Sequence, residues 1–346
     1  MPSFLKTTQS YRQGATTLPG RYYTSPEIFA AEGERIFARA WLCIGRAETI
    51  PEPGDYVLAE VAGESVIVLR DRSGELRAFY NVCRHRGTRL CEAARDRFSE
   101  TIQCPYHAWT YRLDGQLIGA PHMHEVEGFA KQDHPLHAVA LETWAGFVFI
   151  NLAGEPEPFA RAFAPLVGRF ARYNLPALVS VRRIEYDVRA NWKLILQNYN
   201  ECLHCPTIHP ELSTKLPYAS GANDLIDGPV LGGYMEIKAP HASATMSGRA
   251  CGLLLGDLPP DDRRRAYYYS IFPAMMLSLH PDYAVFYTVW PKAPAESRVV
   301  CEWLVHPDSA ASPGYNIADA EEFWDRTNRE DWHICEQSQL GVGSRM

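Results

Sequence analysis

Cys83-Arg84-His85 and Cys104-Pro105-Tyr106-His107 constrain this chain more than any other feature. Together they offer two thiolates and two imidazoles from two loop tips. A structural zinc ion accepts the same four residue types, but zinc sites usually open with a Cys-x(2-4)-Cys pair rather than Cys-x-His. The turn residues favour a 2Fe-2S cluster instead. Arg86-Gly87-Thr88 follows the first pair and Pro105 sits inside the second, so both loops are tight and can aim backbone N–H groups at sulfur. Cys83 and Cys104 would then take one iron, and the neutral imidazoles of His85 and His107 the other. Exchanging two thiolates for imidazoles lowers the negative charge at the cluster and lifts its potential to roughly −150 to +300 mV.

A chain of 346 residues has room for two cores, and 46% hydrophobic with 22% charged residues is ordinary for a globular protein. The net charge of −7 gives no basic footprint for nucleic acid. No apolar run approaches the ~20 residues that span a bilayer, and the N-terminus has no signal-peptide pattern, so a cytoplasmic protein without a membrane partner is expected. The nine cysteines show no disulfide framework. Beyond Cys83 and Cys104 they are expected to be reduced, with Cys43, Cys251 and Cys301 in the core or in strands.

Residues 41–153 read as short strands separated by turn signals at Pro51–Gly54, Asp71–Gly74 and Leu113–Gln116, an all-β domain carrying the cluster loops. Residues 1–40 form an N-terminal segment expected to pack on the second domain, which covers 154–346. In that domain Phe159, Phe163, Leu166 and Phe170 have the spacing of a helix over Phe159–Tyr173, and a second helix is expected from Asn191 to Cys205, ended by Pro206. Ser180–Val188, Tyr267–Phe272, Tyr283–Trp290 and Val299–Val305 read as strands. Residues 228–262, rich in Gly, Ala and Pro, read as a lid or a surface loop. A final helix runs from about Asp319 to Ser338. An antiparallel sheet flanked by helices makes this domain, and the whole chain, α+β.

Glu201-Cys202-Leu203-His204, with His209 shortly after, is the second constellation. Two histidines and a carboxylate on one octahedral face are what a mononuclear non-heme Fe(II) needs, leaving positions open for O2 and substrate. Helical phase selects the carboxylate. Ala320, Phe323, Trp324, Thr327, Ile334, Cys335 and Ser338 share one face of the last helix, and Asp331 lies within that stripe, where an acid needs a partner or a metal. Glu330, Asp325 and Glu322 lie off it and read as solvated, with Asp325 the second choice of ligand.

Taken together, Cys83-x-His85, Cys104-x-x-His107, the run Asn191-Trp192-Lys193 to Glu201-x-x-His204-x(4)-His209, and Asp331-x(4)-Glu336 resemble the catalytic α subunit of Rieske non-heme iron oxygenases from about Trp41 onward. Thr88 and Tyr106 stand where respiratory Rieske proteins carry two additional cysteines, so the resemblance is to the oxygenase branch. It implies a homotrimer in which the cluster of one subunit faces the mononuclear iron (His204, His209, Asp331) of the next, with Glu201 bridging His107 and His204 between chains. It also implies a separate reductase of flavin or ferredoxin type, fed by NADH, because no flavin or NAD fingerprint and no ferredoxin cysteine run occurs here. Glu201, where many members carry Asp, resembles the branch acting on quaternary ammonium compounds such as betaines and carnitine. Tyr267, Tyr269, Phe272, Tyr287 and Trp290 are candidate aromatic faces for such a cation. Oxygenation of an aromatic ring or aromatic acid is the alternative substrate class, and a Rieske electron carrier without catalysis the alternative of another kind.

Overall fold

The computed structural model describes residues 4–6, 13–224 and 228–345. The chain divides into two compact units, Gly33–Glu157 and a larger one made of the N-terminal residues up to Glu32 and everything from Pro158 onward. The boundaries expected at 41 and 154 therefore move. Residues 33–40 belong with the smaller unit, where Asn151 Nδ2 donates to Arg39 O at 2.9 Å and Trp41 Nε1 donates to Glu157 O at 2.8 Å. In the larger unit Trp192 Nε1 and Lys193 Nζ both donate to the Glu32 carboxylate, at 2.9 and 2.7 Å, which ties the N-terminal segment to the helix that leads into the second site.

The smaller unit contains three antiparallel sheets. One orders Ala140–Trp144, Phe147–Asn151 and Leu42–Arg46; the next Leu76–Tyr80, Glu64–Arg70, Asp55–Val61 and Arg95–Arg97; the third Thr101–Gln103, Thr110–Arg112 and Leu117–Gly119. Ile67, Leu69, Phe79, Ile102, Tyr111 and Leu117 form its core, and Cys83 and Cys104 are buried in the same cluster. The cluster loops thus grow directly out of packed strands.

The larger unit is built on one eight-stranded antiparallel sheet, ordered Phe4–Lys6, Ala222–Asp224, Val230–Glu236, Arg265–Ile271, Met275–Leu279, Ala284–Ala293, Glu296–Val305, Val179–Val188. The C-terminal helix, Ala318–Val342, buries Phe323, Trp324, Thr327, Trp332 and Cys335, whereas Ser338, expected on that face, is exposed. Met275–Leu279 is a strand to which the sequence analysis assigned no element. No helix among the described residues is long and apolar enough to cross a membrane.

Three expected elements differ. The helix over Phe159–Tyr173 exists only as Phe159–Ala162 and a short turn at Ala171–Tyr173. Pro165 and Gly168, with φ of +73°, interrupt it, although Phe159, Phe163, Leu166 and Phe170 are all buried as the spacing required. The helix from Asn191 spans Trp192–Tyr199 only, with Asn191 as its N-cap accepting from Lys193 N at 3.1 Å. Pro206 opens a new short helix, Cys205–Ile208, rather than ending the old one, because proline fits a first helical turn. Residues 228–262 are neither lid nor simple loop. Val230–Glu236 is a sheet strand, and the irregular stretch after it is pinned by Asp282, whose carboxylate accepts from Ser243 Oγ at 2.6 Å and from Cys251 N at 2.7 Å.

Candidate metal centres

Both cysteine loops fold in the same way. Cys83 N donates to Thr88 O and Gly87 N to Cys83 O, at 2.8 and 2.9 Å; Cys104 N donates to Trp109 O and Ala108 N to Cys104 O, at 2.8 and 3.1 Å. Each loop is therefore closed by one pair of backbone bonds across its cysteine, and each needs a left-handed residue at its end, Gly87 with φ of +78° and Ala108 with φ of +56°. Asn81 secures the first loop, its Oδ1 accepting from Leu90 N and Cys91 N at 2.8 and 3.2 Å. The imidazoles of His85 and His107 stand 4.7 Å apart between centroids.

The residues fit a cluster with mixed ligands. His85 Nδ1 and His107 Nδ1 are buried without a hydrogen-bond partner, a cost that two metal bonds would remove. Burial, with the nearby His107 and Arg86 charges, pushes the His85 imidazole down toward its neutral, ligating form. Burial also pushes the Cys83 thiol up, so its thiolate needs a cation beside it, and the Tyr111 hydroxyl 3.4 Å from Sγ works the other way. Arg84 N already donates to the Tyr111 oxygen at 3.0 Å, which leaves the phenolic proton for sulfur. A hydrogen bond to a cluster sulfur stabilises the more negative reduced state. Tyr111→Phe is therefore expected to lower the midpoint potential by about 40 mV, the one-electron equivalent of about 1 kcal/mol. Redox titration followed by EPR reads this, and an unchanged potential would deny Tyr111 that part.

At the second site the chain unwinds after Tyr199, and His204 and His209 flank the short Cys205–Ile208 helix. Asp331 projects from the C-terminal helix between them. Its Oδ1 lies 2.8 Å from His209 Nε2 and 3.3 Å from His204 Nε2, so three donor atoms converge on one point. The other nitrogen of each ring is held by a glutamate, His204 Nδ1 by Glu201 Oε1 at 2.6 Å and His209 Nδ1 by Glu330 Oε2 at 2.7 Å. Glu201 also accepts from Leu203 N, which fixes its carboxylate within the loop.

The electrostatics are those of a cation site. Burial disfavours charge on His204, but Asp331 and Glu201 outweigh it and push the imidazole up to about 9. His209 is raised against burial by Asp331 and Glu330, and Asp331 is held low against burial by the two histidines. Two imidazoles with Nε2 turned to a shared carboxylate and Nδ1 anchored elsewhere are the donors a 2-His-1-carboxylate iron requires.

Several residues stand elsewhere than expected. Glu330, read as solvated, is bonded to His209. Asp325 is committed to Tyr186 OH and Arg329 Nε, at 2.8 Å each, away from the histidines. The cleft beside the site is walled by Tyr199, Tyr218, Tyr234, Tyr268 and Trp324, and none of Tyr267, Tyr269, Phe272, Tyr287 or Trp290 lines it. Strand alternation explains the first two, since Tyr267 and Tyr269 face away from Tyr268 and bond to Asp262 and Asp224. Tyr287 is buried against Asn328, Trp290 Nε1 donates to Thr288 Oγ1, and Phe272 is exposed past a strand end. Gly232 and Gly233 also line the cleft; a Cβ there would stand 2.1 Å from Tyr268 O or 2.2 Å from Ala222 O, so only glycine fits. Cys202 and Cys205, expected as thiols, are joined in a disulfide because their Cα atoms lie 5.0 Å apart on one turn, and Cys251 is in a loop rather than a strand.

Residues 40–130 match the Rieske [2Fe-2S] domain and residues 175–346 the ring hydroxylating alpha subunit (catalytic domain). The glycine betaine monooxygenase oxygenase subunit of Chromohalobacter salexigens is 32% identical over 362 residues, 96% of this chain and 81% of that protein. The chain belongs to the Rieske ring-hydroxylating oxygenase α subunits. As such it is an oxidoreductase whose cofactors are a Rieske 2Fe-2S cluster and a mononuclear iron. The carnitine monooxygenase oxygenase subunit of Escherichia coli is 39% identical over 210 residues, 59% of this chain and 55% of that one. The crystal structure of the quaternary ammonium Rieske monooxygenase CntA with L-carnitine superposes with a TM-score of 0.77 at 26% identity, covering 95% of this chain and 86% of that one. The Rieske oxygenase fold thus accounts for both units of the chain.

Proposed function

We propose that this chain is the oxygenase subunit of a multicomponent monooxygenase that hydroxylates or N-demethylates a small quaternary ammonium compound of the betaine, carnitine or choline kind. In this reading Cys83, His85, Cys104 and His107 hold the cluster, and His204, His209 and Asp331 hold the mononuclear iron. A separate flavin- or ferredoxin-type reductase draws on NADH, and a homotrimer brings Glu201 of one subunit beside His107 of another. When bound, the cluster supplies electrons and the iron activates O2. The protein's own residues orient and select. Glu201 and Glu330 each hold an imidazole N–H, which keeps Nε2 of His204 and His209 available to metal.

The observation that carries the substrate class is the wall of the cleft. Among the described residues it presents five aromatic rings, two acids, Glu201 and Asp331, and no lysine or arginine. Such a surface attracts a cation whose shell of methyl groups cannot form hydrogen bonds. Two of the rings are anchored, since Tyr199 OH pairs with Ser278 Oγ at 2.9 Å and Trp324 Nε1 donates to Tyr283 OH at 2.7 Å. An aromatic carboxylate would find no lysine or arginine there.

Calorimetric titration of the iron-loaded protein under nitrogen tests this, using glycine betaine, choline and L-carnitine against their tert-butyl isosteres and benzoate. At least one trimethylammonium compound is expected to bind tenfold or more tighter than its isostere, and Trp324→Ala should weaken it by about 1 to 2 kcal/mol. Equal binding of the uncharged-head isosteres, or preference for benzoate, would refute the proposed substrate class.

A further inference from the structure

We propose that Glu330 is a positioning residue for the mononuclear iron, acting through His209. This rests on the assignment of His204, His209 and Asp331 as iron ligands and goes one layer outward from them. His209 is 1% exposed, and its two ring nitrogens are gripped by consecutive residues of one helix, Nδ1 by Glu330 at 2.7 Å and Nε2 by Asp331 at 2.8 Å. Successive helical residues diverge by about 100° around the axis, so their carboxylates straddle the imidazole rather than crowd one edge of it.

The two contacts have different fates once a cation is present. The Asp331 carboxylate and His209 Nε2 both turn to the metal, and Nδ1–H keeps the acceptor it has. Among the described residues that acceptor is Glu330. An imidazole ligand whose other nitrogen donates to a carboxylate is locked in tautomer and in ring orientation, and it becomes a stronger donor to the metal. His204 has the same arrangement with Glu201, but there the acid comes from the same loop, three residues away. Glu330 comes from the C-terminal helix, so it also fixes the height of the His209 loop against the helix that carries Asp331. A surface acid with a merely electrostatic role would pair with a lysine or arginine. No lysine or arginine among the described residues pairs with Glu330, whose side chain is 29% exposed and whose partner is the His209 imidazole.

The test uses the cluster-containing protein from which mononuclear iron has been removed by a mild chelator, titrated with Co(II) as the probe metal. Glu330→Ala and Glu330→Met are expected to weaken Co(II) binding roughly 10- to 100-fold, and Glu330→Gln, which keeps an acceptor oxygen at the same reach, to recover much of that loss. Cluster absorbance should be the same in all four proteins, which separates loss of positioning from loss of folding. Met fills the volume of Glu without accepting a hydrogen bond, so a packing role would show as recovery in Glu330→Met. That recovery, or Co(II) binding by Glu330→Ala within twofold of wild type, would overturn the proposal. Asp331→Ala in the same titration keeps the two readings apart. Normal Co(II) binding by Asp331→Ala overturns the ligand assignment itself, whereas its loss together with unaffected Glu330 variants overturns only the role given to Glu330.

Discussion

Asp331→Ala is expected to lose the mononuclear iron and keep the cluster. Asp331 Oδ1 is the single oxygen approached by Nε2 of both His204 and His209, and the carboxylate is held in its charged form by them although burial opposes it. Without it two neutral donors remain, their outer nitrogens still tied to Glu201 and Glu330. Two imidazoles alone hold Fe(II) poorly, and affinity is expected to fall by roughly 100-fold or more, enough to empty the site during purification. Metal analysis should therefore drop from about three irons per chain to about two with sulfide unchanged, and the EPR signal of the dithionite-reduced cluster should not move. Substrate-dependent O2 consumption should fall to background. Retained iron would require another carboxylate. The second choice, Asp325, is engaged by Tyr186 and Arg329 and would have to leave both.

Glu201→Gln is expected to give the opposite pattern, both metals present and turnover reduced roughly 100-fold. The amide oxygen can still accept from His204 Nδ1, which keeps the ring anchored and the metal bound, while the amide nitrogen takes the place of the oxygen that accepts from Leu203 N. What disappears is one of the two charges, beside that of Asp331, that hold His204 high, and the one that, in a trimer, would face the neighbouring His107. The discriminating measurement compares NADH-driven turnover with product formed from added hydrogen peroxide, which needs no electron from a cluster. The first should collapse and the second survive. NADH-driven turnover within twofold of wild type would remove Glu201 from the electron path.

Sequence patterns point to the proposed donors more directly than to their surroundings. Cys83, His85, Cys104 and His107 are legible because their chemistry and spacing lie within two short turns. Asp331 is legible because an acid on a buried helical stripe demands a partner. Glu330 was not, since its phase places it at the stripe's edge and its partner, His209, arrives on a loop whose path no periodicity encodes. The cleft wall was half legible for a related reason. A run of three tyrosines announces an aromatic surface, but only strand register decides that Tyr268 meets the cleft while Tyr267 and Tyr269 turn to Asp262 and Asp224. Likewise the apolar spacing from Phe159 to Phe170 correctly marked buried residues, and the backbone breaks at Pro165 and Gly168 gave them another shape.

The ligand geometry has a consequence for how the protein matures. The four cluster donors come from two neighbouring turns, so their site needs only the small β unit. Between His209 and Asp331 the chain runs through six sheet strands, Ala222–Asp224, Val230–Glu236, Arg265–Ile271, Met275–Leu279, Ala284–Ala293 and Glu296–Val305. Contacts so distant along the chain form late. Cys83 to His107 leave the ribosome long before Asp331, so the donors proposed for the electron-storing centre are complete while those proposed for the oxygen-handling one still lack their carboxylate.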